Sequence, residues 1–229
     1  MLVLDIGHNC IKAFHEKKNK IYVFPLNNEV IFLKWLLQFC NEDVFIGSVN
    51  LAFNHKIKAF FKQHKIKYYF FKKTDFLKYI KLNQKIQTNE IGLDILSMIY
   101  LINDQNYILI NHGTAMTITL YNNQINGVII GINYFDNLAN LLQTTKLSFK
   151  YNKSSTNFAN NTNNSFSSYI NLFFIEPLQR LIKNNKIKKI YIHQIDKKYI
   201  KEIKGIDYIS LIQPTLKGYV KLASNIKLK

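Results

Sequence analysis

The chain reads as an α/β protein made of two related halves, and three observations carry that prediction. Met1-Leu2-Val3-Leu4 runs apolar into Asp5-Ile6-Gly7-His8-Asn9, a buried strand ending in a short polar side chain and a glycine. Tyr107-Ile108-Leu109-Ile110 runs into Asn111-His112-Gly113-Thr114-Ala115-Met116-Thr117, the same device in the second half. Between and after them, strand-like apolar runs alternate with segments of helical spacing, which argues mixed sheets with helices packed on them. Glycine permits a tight turn and close approach to a ligand, and amides gathered there cradle an anion. One such unit in each half predicts two lobes that share a phosphate.

In chain order, strands are expected over 1–6 and 20–25, the second following the basic turn Lys17-Lys18-Asn19-Lys20 as a hairpin. Residues 29–40 carry Val30, Leu33, Leu37, Trp35 and Phe39 at helical spacing. A buried strand over 44–49, a helix over 51–64, a strand over 67–71 and a short helix over 77–81 follow. Thr88 or Asn89 is the expected cap of a helix over about 90–103. On that helix Ile91, Asp94, Ile95, Met98 and Ile102 share much of one face, which sets Asp94 among apolar neighbours. A carboxylate buried there is costly without partners. The second half then gives strands over 107–111, 114–121 and 125–131 and a helix over 134–145. The Asn- and Ser-rich stretch 150–165 reads as a loop, and a helix over 165–184 is expected to kink or split at Pro177. Strands over 188–193 and 208–212 and a helix over 215–226 complete the chain. The lobes are placed at 1–104 and 105–229.

Composition narrows the function. The 229 residues suffice for a sizeable core, and 48% hydrophobic with 20% charged residues fits a soluble globular protein. No apolar run reaches the roughly 18–20 residues that span a bilayer, and the start lacks the pattern of a signal peptide, so a cytoplasmic location is expected. Cys10 and Cys40 make no disulfide framework, and the scattered histidines have no zinc-ligand spacing. The net charge of +17 comes from lysines spread over the whole chain, with Arg180 the single arginine. That distribution reads as solvated faces and compositional bias ahead of a nucleic-acid surface, although the positive field attracts anionic nucleotides.

Taken in order, the motifs resemble the type III pantothenate kinase family. Leu4-Asp5-Ile6-Gly7-His8-Asn9 is similar to its Asp-x-Gly-Asn-Thr opening, with Lys12 where many members carry lysine. Phe45-Ile46-Gly47-Ser48-Val49 resembles its strand ending in Ser-Val, and Gly92-Leu93-Asp94-Ile95 its Gly-x-Asp-Arg. Asn111-His112-Gly113-Thr114-Ala115-Met116-Thr117 resembles Asp-x-Gly-Thr-Ala-x-Thr, the most specific of the set. Gly127-Val128-Ile129, Thr144-Thr145-Lys146-Leu147, the segment around Thr162 and Thr215-Leu216-Lys217-Gly218 extend the series to about residue 222.

The resemblance implies the actin-like ATPase fold, two ribonuclease-H-like lobes around an ATP cleft, and transfer of the ATP γ-phosphate to pantothenate. It implies a homodimer needing Mg²⁺ and a monovalent cation, K⁺ or NH₄⁺. In that reading Asp5, with Asn111 in the position of a second acid, serves the metal. Gly7, His8, Asn9, Lys12, Asn111, Gly113, Thr114, Ala115 and Thr117 serve the phosphates. Gly92, Leu93, Asp94 and Thr162 serve the acceptor, and Asp94 is the base. Phosphoryl transfer rests on positioning and on neutralising charge, which these residue types supply.

The pattern is altered at several positions. Asn111 stands where the family has an acid and Ile95 where it has arginine. Asn126 replaces one glycine of a pair, Tyr169 another glycine, and Ile192-His193-Gln194 the usual Thr-Gly-Gly. Two alternatives therefore stand beside the kinase: a nucleotide-binding regulator or scaffold of the same fold, and a basic nucleic-acid-binding protein using Tyr68 to Phe71 as a stacking surface.

Overall fold

In the computed structural model, residues 1–146, 149–152, 161–195, 200, 203–226 and 228 are described. Two compact units divide the chain: Met1–Asn103 with Ile212–Lys229, and Asp104–Leu211. The expected break near 104 is therefore a boundary, whereas the C-terminal segment packs with the first unit rather than the second.

The first unit holds a five-stranded sheet of order β3-β2-β1-β4-β5: β1 (Leu2–Ile6), β2 (Cys10–His15), β3 (Lys20–Pro25), β4 (Val44–Ser48) and β5 (Tyr68–Phe70). The pairs β1–β2 and β2–β3 are antiparallel, whereas β1–β4 and β4–β5 are parallel. Side chains alternate between faces along each strand. Leu2, Leu4 and Ile6 thus meet Phe32 and Leu36 of α1 (Glu29–Leu36) and Phe53, Ile57 and Phe61 of α2 (Leu51–Gln63) in one core. Val3 and Asp5 point the other way, to the face where α8 (Pro214–Ala223) lies against β1, β4 and α4 (Leu93–Leu101). Strand β2 intervenes between the two strands expected at the start, closing a hairpin with each.

Three helices start elsewhere than the spacing predicts, and the one expected from 165 begins at Thr162, inside the stretch read as a loop. The short α3 runs Lys73–Leu77, not 77–81, because the Asp75 carboxylate accepts from the Lys72 amide (2.8 Å) and the Tyr69 hydroxyl (2.9 Å), fixing the first turn. Thr88–Glu90 forms a 3₁₀ turn rather than a cap, and α4 begins three residues later, after an extended Gly92.

The second unit repeats the sheet: order β10-β9-β6-β7-β8, from β6 (Asn106–His112), β7 (Met116–Asn122), β8 (Ile125–Gly131), β9 (Lys189–His193) and β10 (Asp207–Ser210). Strand senses match as well, antiparallel through β6–β7–β8 and parallel through β6–β9–β10. Ile108, Ile110, Ile190 and Ile192 pack on Leu138 of α5 (Tyr134–Thr145), Ile170 of α6 (Thr162–Ile170) and Leu178 and Ile182 of α7 (Glu176–Asn184). The expected break near Pro177 takes the form of a π-helical turn, Asn171–Ile175, ahead of α7 with Pro177 in its first turn. There the missing N–H of proline costs little. Of the 150–165 loop, residues 153–160 lie outside the described residues, as does Leu147. No described helix is long and apolar enough to cross a membrane.

Candidate functional site

Within the first unit, the register brings charge to one face of the sheet. Asp5 on the central strand pairs with Lys12 on β2 and with Gly47 on β4. Cross-strand partners share a face about 5 Å apart, so Lys12 flanks the carboxylate on one side and an empty glycine position on the other. Asp94 sits in the first turn of α4, and its carboxyl turns back onto the amides of Asp94 and Ile95. A Cβ at Gly92 would overlap that carboxyl, which explains why glycine precedes the acid by two residues. The Gly-x-Asp spacing thus has a steric cause in this chain.

The two acids sense one another. Burial pushes the Asp5 carboxyl up to about 7, Lys12 works against that rise, and Asp94 adds to it. Burial likewise raises Asp94, opposed by the two backbone amides and by His8. Desolvation dominates because a charged carboxylate is the form that burial penalises. Burial of both acids favours their protonated forms, and among the described residues neither forms an ion pair, so each gains from a cation that would stabilise its charge.

The turn after β1 is tighter than a bare phosphate loop. The Gly7 amide closes it by donating to the Cys10 carbonyl at 3.0 Å, and Asn50 Nδ2 holds the Gly7 carbonyl at 3.4 Å. His8 and Asn9 form its exposed tip, so an anion here would meet that tip rather than the Gly7 amide. A cavity of about 540 Å³ opens beside it, lined by His8, Asn9, Asn27, Asn50 and the Glu29–Lys56 ion pair (2.9 Å). Neither Asp5 nor Asp94 lines that cavity. Leu93 is buried in the core, as is Ile95, so neither side chain is presented to an acceptor.

The second unit carries the counterpart. Asn111 pairs with Thr117 on β7 and with His193 on β9, in the register places that Lys12 and Gly47 hold around Asp5. The His193 ring nitrogen Nδ1 lies 2.8 Å from Asn111 Oδ1. Two positions that depart from the family pattern are thus in contact. Gly113 is again engaged, its amide on the Ala115 carbonyl (3.1 Å) and its own carbonyl on Asn133 Nδ2 (2.7 Å), while Thr114 is exposed and Ala115 and Thr117 are half-buried. Thr162 opens α6, and its side chain lies outside the described residues.

Among the described residues no group of three or more His, Cys, Asp or Glu could hold a metal by itself. Mg²⁺ does not require one, since it keeps its waters and takes one or two carboxylates plus substrate phosphates. Asp5, with Asp94 nearby and Lys12 as a counter-charge, fits such a cation. Sequence reasoning missed the part of Tyr219, which stands on α8 and feels both Asp5 and Asp94. A lone aromatic on the apolar face of a helix carries no signal beyond core packing.

Residues 4–184 match the model of the type III pantothenate kinase family. No curated protein matches the chain in sequence. Among solved structures, a Campylobacter jejuni protein described as a conserved Baf family transcriptional activator superposes with a TM-score of 0.64 at 16% identity, covering 98% of both chains. A Sinorhizobium meliloti protein described as a 2-dehydro-3-deoxygalactonokinase gives 0.55 at 8% identity over 98% of this chain and 96% of its own. At such identities the likeness speaks for the fold. With the duplicated sheet order, it makes this the actin-like ATPase fold, two ribonuclease-H-like units in one chain.

Proposed function

Because the chain belongs to the type III pantothenate kinase family, whose members are kinase-type phosphotransferases, we propose that it phosphorylates pantothenate from ATP. The product is 4′-phosphopantothenate, at the first step of coenzyme A synthesis. The observation that carries this reading is the pairing of Asp5 and Asp94 in one unit, both with carboxyls raised by burial.

In the reaction, the acceptor hydroxyl oxygen attacks the γ-phosphorus of ATP and the bond from that phosphorus to the β–γ bridging oxygen breaks, releasing ADP. Asp94 takes the hydroxyl proton, and the affinity for a proton that burial raises strengthens it as a base. Asp5 would hold Mg²⁺, which would supply charge neutralisation at the phosphates. Lys12 adds a fixed positive charge on the face that Asp5 occupies. The turn tips, His8-Asn9 and Thr114-Ala115, bind phosphate oxygens, with the Thr117 hydroxyl in support. Gly92 leaves the Asp94 carboxyl room to meet the acceptor, and Thr162 is a further acceptor contact. With Ile95 turned into the core, the acceptor's carboxylate draws its counter-charge from another residue. The enzyme works as a homodimer in the cytoplasm and requires K⁺ or NH₄⁺.

The test is ADP release that depends on pantothenate, with Mg²⁺ and K⁺ present. Asp94→Asn should lower kcat by roughly 10²–10⁴-fold while ATP binding persists. Turnover that ignores pantothenate, or an Asp94→Asn variant as fast as the parent, would defeat the reading. A second reading, a nucleotide-binding regulator, draws support from the amide at Asn111 tied to His193 in place of an acid. ATP that raises the melting temperature without any turnover would identify it.

A further inference from the structure

The side chain that completes the Asp5 face is contributed by the far end of the chain. Gly47 leaves an empty place beside Asp5, and the ring of Tyr219 fills it: a Cβ at residue 47 would overlap Cζ and both Cε atoms, the hydroxyl-bearing end. Since Gly47 and Asp5 are register partners, that end of the ring lies on the carboxylate's face, one strand away. The ring is held firmly. It stacks on Phe71 with centroids 5.3 Å apart and planes 12° from parallel, and leans on Phe76 at 6.0 Å. One residue earlier, Gly218 lets α8 sit directly on the Ser97 backbone of α4, and Ser97 Oγ donates to the Thr215 carbonyl at 2.7 Å. The same helix is thereby fixed to the element that carries Asp94.

Tyr219 is fully buried, and among the described residues its hydroxyl has no hydrogen-bond partner. A buried tyrosine hydroxyl ordinarily finds one, because leaving it unpaired carries the full cost of taking it out of water. A phenylalanine would fill the same space without that cost. The hydroxyl can donate one proton, and the acids within its electrostatic reach are Asp5 first and Asp94 second.

We propose that Tyr219 is a positioning residue: its hydroxyl donates a hydrogen bond to the Asp5 carboxylate when the nucleotide's divalent cation is bound, leaving the other oxygen aimed at that cation. The inference deepens the phosphotransfer reading given above and rests on it. Groups that orient a metal-bound carboxylate from behind typically contribute 10–100-fold to metal affinity.

The experiment is calorimetric titration of ATP into the full chain, wild type and Tyr219→Phe, once with Mg²⁺ and once with EDTA. The expected result is a gain in affinity from Mg²⁺ that is about tenfold smaller in the variant, with binding in EDTA unchanged and the ligand-free melting temperature no lower. An equal Mg²⁺ gain in both proteins overturns the proposal. So does equal weakening with and without Mg²⁺, which would mark a packing role. In an Asp5→Asn background the Mg²⁺ gain should be gone and Tyr219→Phe should add nothing; a further loss there also overturns it. Wild-type protein that binds no ATP in either condition defeats the phosphotransfer reading and this inference together, whereas wild-type binding with an unaltered variant defeats this inference alone.

Discussion

Asp5 is a carboxyl that the ligand-free fold penalises. Its proton is held in the folded chain up to about pH 7, whereas an unperturbed aspartate loses it near 3.8. Between those values Asp5 holds its proton in the folded state but not in the unfolded one, so its contribution to stability falls as pH rises through that window and levels off above it. The groups that share this balance are Lys12, which opposes the rise, and Asp94, which reinforces it. Asp5→Asn removes the charge and keeps the shape. Chemical denaturation of metal-free protein at pH 8 should show the variant more stable by about 1–2 kcal/mol, a figure well below the full shift because Asp5 keeps some solvent exposure. At pH 4 the difference should vanish. A variant less stable than wild type at pH 8 would mean that Asp5 is a structural acid with a partner. Loss of function with gain of stability is the expected mark of a residue retained for its chemistry.

At the scale of elements, the contact between α4 and α8 is made by absent atoms. A Cβ at Gly218 would overlap the Ser97 carbonyl, a backbone atom that cannot swing aside. Gly218→Ala must therefore push the two helices apart, and overpacking of this kind costs about 1–3 kcal/mol, measurable as a lower urea midpoint at unchanged slope. An unchanged midpoint would mean that the helices separate without penalty. Such contacts show what a single sequence conveys and what it conceals. The runs at 1–6 and 107–111 announce their strands, because central strands buried on both faces read as continuous apolar stretches. Asn133, whose side chain accepts from the Asp136 amide at 3.0 Å, starts α5 where the spacing places it. The start of α4 was hidden, because Thr88 and Asn89 look like caps while the capping group is the Asp94 carboxyl itself. Asp5, Asp94 and the two glycine turns were legible as motifs. Tyr219 was not, since its place opposite Gly47 depends on a register that joins residues far apart in the chain.

Over the whole molecule, duplication and chain path do not coincide. Each unit repeats one sheet order, yet the first is discontinuous, since its last helix arrives only after the second unit has been traversed. Helix α8 brings Leu216, Tyr219 and Leu222, all buried, onto β1, β4 and α4. Burying three such side chains contributes roughly 5–9 kcal/mol, comparable with the whole stability of a domain at about 5–15 kcal/mol. Without that helix the face bearing Val3, Phe45 and Asp5 loses one of the elements that cover it. The segment 1–103 alone should therefore lack a cooperative thermal transition, although it contains every strand of its sheet. Joining 212–229 to it through a flexible Gly-Ser linker should restore cooperative unfolding by circular dichroism. In the joined protein, Leu216→Ala should weaken the fold by about 2–5 kcal/mol. A segment 1–103 that unfolds cooperatively by itself would show α8 to be an accessory to the first unit, and the Tyr219 contact with Gly47 would then be a consequence of folding instead of a condition for it.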